Sequence, residues 1–76
     1  MPTSPIRTVE IADDMIRLGQ FLKLADLAED GTHARELLED GMVTVNGRAE
    51  SRRGRQLADG DVVAVENQQV RLAARP

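Results

Sequence analysis

The alternation of apolar and polar positions changes its period twice along this chain of 76 residues. Arg7 to Ile11 (RTVEI) alternates, with Val9 and Ile11 on one side, and predicts a short strand. From Met15 to Ala28 the period lengthens. Leu18, Phe21, Leu22 and Ala25 recur at spacings of three and four, while Arg17, Gln20 and Lys23 follow the opposite side. This predicts a helix over 15–28 with one buried face. Asp13 and Asp14 stand at its start, where carboxylates accept from orphan N–H groups and suit the positive end of the helix dipole. Asp30-Gly31-Thr32 interrupts the pattern and offers two N-caps for a second helix, which runs to about Asp40 and turns Ala34, Leu37 and Leu38 inward. Gly41 stands where a residue in the left-handed region closes a helix.

Beyond Gly41 the period becomes two. Met42-Val43-Thr44-Val45 runs directly into Asn46-Gly47, the pair most favoured in two-residue hairpin turns because both residues accept positive φ, and the chain returns through Arg48 and Ala49. Asp59-Gly60-Asp61 marks a further turn, and Val62 to Glu66 and Val70 to Ala73 predict two more short strands. The expected fold is α+β, a helix pair packed on a small, mostly antiparallel sheet, with Leu18, Phe21, Leu22, Leu37, Leu38, Val43, Val45 and Val63 in its core. Met1 to Pro5 hold two of the three prolines and no periodic pattern. They are expected to form a flexible tail before a single domain over 6–73, with 74–76 as a C-terminal tail.

A domain this short closes a small core, which below ~70–80 residues rarely supplies more than about 3–5 kcal/mol unaided. The chain contains no cysteine. Disulfides, thiolate zinc sites and a thiol nucleophile are therefore excluded, and a reducing cytoplasm suits the composition. The N-terminal stretch carries no apolar run of the length that a signal peptide or membrane span needs, so a cytoplasmic monomer is expected.

The formal net charge of −3 speaks at first against a nucleic-acid partner. Its distribution speaks the other way. Arg48 to Arg55 (RAESRRGR) holds four arginines against Glu50, whereas Asp26 to Asp40 holds six acids against Arg35 alone. Segregated charge makes an oriented field, which depends on local density more than on the sum. Of the ten basic residues only Lys23 is not arginine. The planar guanidinium donates to phosphate and base edges in pairs and stacks on rings. Arg52, Arg53 and Arg55 repel one another unless an anion relieves them, and Gly54 lets a backbone come close to one; phosphate is the expected anion.

Catalytic chemistry has little to stand on. His33 is the single histidine, no nucleophile-and-base set or glycine-rich phosphate loop is present, and no carboxylate spacing matches a metal site. No enzyme activity, cofactor or metal is expected. Phe21 is the single aromatic residue and falls on the buried face, which disfavours stacking of splayed bases as the main binding mode and favours recognition of folded RNA by shape and backbone.

Taken in order, Arg17-Leu18-Gly19-Gln20-Phe21-Leu22-Lys23-Leu24, Gly31-Thr32-His33-Ala34-Arg35, Gly41 to Gly47, Arg52-Arg53-Gly54-Arg55, Leu57 and Gly60-Asp61-Val62-Val63 resemble the S4 RNA-binding domain, the alpha-L motif. The likeness spans about residues 16–66 and is strongest to small standalone bacterial members. One departure is Gly19, which stands where many members carry an acidic residue after Arg-Leu. In that family two helices and a hairpin form an L whose face binds structured RNA, within ribosomal RNA or as an appendage of tRNA- and rRNA-handling enzymes. The resemblance implies contacts from Arg17, Thr32, His33, Arg35, Arg48, Arg52, Arg53 and Arg55, with Asn46 and Gly47 shaping the turn. Gln20 and Lys23 join them from the polar face of the first helix. The implied partner is rRNA or tRNA, alone or in a ribosomal particle.

Two other classes compete. Val45-Asn46-Gly47 with Leu57, Asp59-Gly60-Asp61 and Val62-Val63 also resembles the second half of β-grasp sulfur carriers, but those act through a terminal Gly-Gly where Ala73-Ala74-Arg75-Pro76 stands here. A protein-interaction module using the acidic stretch fits the charge and has no motif behind it. RNA binding is the preferred expectation.

Overall fold

The computed structural model describes residues 6–75. Its elements in chain order are β1 (Arg7–Ile11), β2 (Met15–Arg17), α1 (Leu18–Leu24), α2 (Gly31–Glu39), β3 (Val43–Val45), β4 (Arg48–Ala49), β5 (Gln56–Ala58), β6 (Val62–Val65) and β7 (Gln68–Ala74). Five strands form one sheet in the order β1-β7-β6-β3-β4, and β2 pairs with β5 in a separate ribbon. β1 and β7 run parallel, and the other pairings among the described residues are antiparallel. The α+β class and the helix pair on a mostly antiparallel sheet are as the pattern predicts.

The hairpin follows its turn chemistry. Asn46 and Gly47 have φ of 53° and 85°, the two positive values that a tight β3–β4 connection requires. Helix α2 also follows its local signals. Asp30 is its N-cap and accepts from the His33 N–H at 2.8 Å. At the other end Gly41 takes φ of 71°, the Gly41 N–H donates to Leu38 and the Met42 N–H to Leu37, the paired closure of a Schellman motif.

Helix α1 is shorter than its periodicity predicts at both ends. Met15–Arg17 is a strand whose residues pair with Ala58, Leu57 and Gln56 of β5, so Asp13 and Asp14 precede a strand and the helix has no side-chain cap. Its first donors are met by a distant backbone instead. The Leu18 N–H donates to the Arg55 carbonyl at 2.8 Å and the Gly19 N–H to the Arg53 carbonyl at 2.9 Å. The helix ends at Leu24 because the next residues turn: Asp26 has φ of 60°, the Leu27 and Ala28 N–H groups both donate to Leu22, and the Arg7 guanidinium donates to the Ala25 carbonyl. Leu27 and Ala28 remain buried. The apolar pattern past Leu24 therefore reports a buried turn.

Leu18, Phe21, Leu22, Leu38, Val43, Val45 and Val63 are all essentially inaccessible, as expected. Leu37 is only partly buried and packs on the flank of this core. Leu57 of the unpredicted strand β5, Val70 and Leu72 of β7 and Ile11 of β1 complete it. The expected domain edge at residue 73 moves outward: β7 runs through Ala74, which pairs with Ile11 and donates its N–H to the Asp59 carboxylate. The tail expected over 1–5 and Pro76 lie outside the described residues. No helix among the described residues is long and apolar enough to cross a membrane.

Candidate nucleic-acid interface

The β2–β5 ribbon brings distant segments together. Arg17 ends β2 and serves as the N-cap residue of α1, while Arg55 directly precedes β5. Pairing of the two strands lays the 52–55 turn across the start of α1. Gly19 makes the approach possible, since a Cβ there would lie 3.2 Å from the Arg53 Cβ and 3.5 Å from its carbonyl oxygen. An acidic side chain at this position would displace the turn. The turn's carbonyls thus replace the cap that Asp13 and Asp14 were expected to give.

Between α1, α2 and this turn lies a groove of about 230 Å³. Its cations are Arg17, Lys23, Arg35 and Arg53, its one amide is Gln20, and its remaining lining is Gly19, Gly31, Ala34 and Gly54. No carboxylate among the described residues lines it. An adjoining recess shares Gly31, Arg35 and Arg53 and adds Thr32. Six of the sequence-predicted residues, Arg17, Gln20, Lys23, Thr32, Arg35 and Arg53, are therefore gathered around one concavity. Arg35 lies 3.7 Å from Glu39 in an exposed i,i+4 pair, which is weak in water. Among the described residues Arg17, Lys23 and Arg53 have no ion pair. Four cations around one concavity, only Arg35 of them paired and that weakly, make an anion-attracting surface.

Of the other predicted residues, Arg52, Arg55, Asn46 and His33 have side-chain partners within the fold. Arg52 Nε lies 3.1 Å from Glu50 Oε2 and Arg55 Nη1 lies 3.1 Å from Glu50 Oε1, and the Glu50 side chain is 9% exposed. The Ser51 and Arg52 N–H groups also donate to Oε2. The Arg52 side-chain and backbone hydrogen bonds, then that of Arg55, outweigh the opposing push of burial and lower the Glu50 carboxyl from 4.5 to about 2. The chain thus supplies one anion of its own to the arginine run, on Arg52 and Arg55, and the Arg52 side chain remains 77% exposed. Arg53, between the two clamped arginines, is the one that reaches the groove.

Asn46 accepts from the Val62 N–H and donates to Asp61, fixing the hairpin to β6, and Gly47 supplies the turn. His33 accepts from the Glu29 N–H through Nδ1 at 3.0 Å, so with Asp30 it forms a reciprocal cap on α2. Arg48 lies in the edge strand β4 and does not line the groove. Sequence reasoning singled out Gly19 and Gly54 but not that Gly19 packs against Arg53, and it did not foresee that the Glu50 carboxylate is almost buried between Arg52 and Arg55. The signal for that packing was Gly19 itself, a glycine inside the predicted helix, where it is ordinarily unfavourable.

Comparison with known proteins adds four findings. A family model for the S4 domain matches residues 9–73. The chain is 48% identical over 58 residues to the protein named probable ribosome maturation protein RlbA of Bacillus subtilis (strain 168), covering 76% of this chain and 82% of that one. Its fold superposes with a TM-score of 0.71 on the solution structure of YbcJ from E. coli, described as having an alpha-L motif involved in RNA binding, at 25% identity over 97% of this chain and 95% of that one. The 30S ribosomal protein S4e of Thermoplasma acidophilum shares the fold over 78% of this chain and 31% of its own length, with a TM-score of 0.59 and 22% identity.

Proposed function

Because this chain belongs to the S4 domain family, an RNA-binding fold in its alpha-L form, we propose that it binds structured RNA through the groove between α1, α2 and the 52–55 turn. The observation that carries the reading is the groove's composition: four cations from three separate segments of the chain converge on a floor of glycine and alanine with no acid among them. Arginine and lysine on such a floor meet phosphates directly, because no side chain stands between the backbone of the RNA and that of the protein. The strong likeness to a protein named for ribosome maturation supports ribosomal RNA, in an assembling ribosomal particle, as the partner. The chain acts in the cytoplasm as a monomer and contributes binding rather than catalysis.

Each phosphate contact releases condensed counterions. Affinity for a structured ribosomal RNA fragment is therefore expected to fall steeply with salt, and Arg17→Ala, Arg35→Ala and Arg53→Ala should each make the log–log slope shallower by about 0.7–0.9. A salt titration by fluorescence anisotropy measures this. Slopes equal to the parent's in folded variants would remove the groove from the interface.

A further inference from the structure

Gln20 and Lys23 line two concavities. On one side is the cationic groove; on the other is a trough of about 580 Å³ walled by Ile11, Met15, Ile16 and Leu24, with Asp13 at its edge. Leu24 is 52% exposed, the most exposed large apolar side chain among the described residues, and Met15 and Ile16 are half-buried. An isolated exposed leucine needs no explanation, but four apolar side chains in one concavity sharing a ridge with a cationic groove form a continuous surface of two unlike halves.

We propose that this trough is a pocket for one unpaired nucleobase of the RNA whose backbone lies in the groove, a reading that rests on the groove being the RNA site. The carboxylate of Asp13 repels a phosphate, so the strand that runs through the groove cannot continue its backbone there. A base suits the trough. Its two faces are flat and poorly hydrated and gain from contact with leucine, isoleucine and the polarisable thioether of methionine. Its edge carries donors and acceptors that the lining matches: Asp13 accepts from an exocyclic amino group, Gln20 both donates and accepts, and Lys23 donates. The trough thus gives a chain whose one aromatic residue is buried a way to hold a splayed base between aliphatic walls.

The test uses three RNAs, a fully paired stem, the same stem with one bulged adenosine, and the stem with an abasic bulge, and a fourth with a bulged uridine for one variant. The parent should bind the bulged adenosine about five- to ten-fold more tightly than the other two. Leu24→Ser, at an exposed position, should keep its melting temperature, its affinity for the paired stem and its salt slope, yet bring all three affinities within about two-fold. Asp13→Asn should weaken the preference for a bulged adenosine over a bulged uridine. Parent affinities indifferent to the bulge, or a bulge preference that survives both substitutions, overturn the pocket and leave the groove intact. Failure of the parent to bind any of the three RNAs overturns the groove and the pocket together.

Discussion

Within four residues the turn after β4 holds two kinds of arginine. Arg52 and Arg55 close on the two oxygens of one nearly inaccessible carboxylate, Glu50, whereas Arg53 between them faces the groove with Arg17 and Arg35. The first pair is engaged within the fold. By fixing the turn they fix the carbonyls of Arg53 and Arg55, which receive the first N–H groups of α1. The lone arginine inherits that fixed geometry and presents it outward. A run of like charges in sequence is thus not one functional unit: the fold divides it according to which side chains the backbone turns toward an internal acid.

The hardest way to break the comparison is to remove the platform beneath both kinds of arginine. Phe21 is fully buried in α1, and Phe21→Ala should cost about 3–5 kcal/mol, comparable to the whole stability expected of so small a domain. Circular dichroism should show a largely unfolded chain, and RNA affinity should vanish with the fold. An unchanged melting temperature would mean that the groove does not stand on this core.

The next largest effect separates the two arginine kinds. Glu50→Ala leaves Arg52 and Arg55 facing each other and orphans the Ser51 and Arg52 N–H groups, so the melting temperature should fall on the order of 5 °C or more. Acid gives an independent reading. The Glu50 carboxyl titrates at about 2 in the folded chain against 4.5 ordinarily, so its contribution is complete above about pH 4.5 and is lost as the pH falls toward 2. Thermal melts of the parent should decline across that window. Glu50→Gln should start lower at neutral pH and decline less.

This division explains what was legible in the sequence. The β3–β4 hairpin and both ends of α2 are written in adjacent residues, Asn46-Gly47, Asp30 and Gly41, whose conformational preferences act locally. The start of α1 is not. Asp13 and Asp14 satisfy every local rule for a cap, but Met15-Ile16-Arg17 pairs with residues about forty positions away, and only that pairing decides between strand and helix. Strand β5 was missed for the same reason, being three residues that acquire a partner only when the chain has folded. In the site, the residue types and most of the groove's cations were legible from Arg17, Lys23, Arg35 and the arginine run. Which arginine faces the groove was not, because that depends on the burial of Glu50, and burial is a property of the closed structure.

Single substitutions sharpen the contrast within the turn. Arg53→Ala should leave stability within about 0.5 kcal/mol of the parent and reduce RNA affinity together with the salt slope. Arg52→Ala should do the reverse, lowering the melting temperature through the loss of the Glu50 hydrogen bond and leaving the salt slope near the parent value. Melts and titrations run side by side on the two variants check this. An identical pair of effects would mean that the two arginines are not distinct.

The smallest expected effect tests how the fold half positions the binding half. Gly19→Ala adds one methyl group at the start of α1. Alanine is favoured over glycine in a helix by about 1 kcal/mol, and Gly19 has no positive φ to forbid it. The new Cβ would meet the Arg53 Cβ at 3.2 Å, close enough that the turn must yield by a few tenths of an ångström. The contact is with the root of the arginine and its carbonyl rather than with a flexible tip, so the movement shifts the whole residue. The gain in helix preference and the cost of the shift oppose each other, and stability should stay within about 0.5 kcal/mol of the parent. Arg53 nonetheless leaves its place, and RNA affinity should fall by roughly two- to three-fold with the salt slope nearly kept, since no charge is removed. Unchanged affinity in this variant would show that the position of Arg53 is not set by its packing on Gly19, and that the groove tolerates the turn wherever the clamp leaves it.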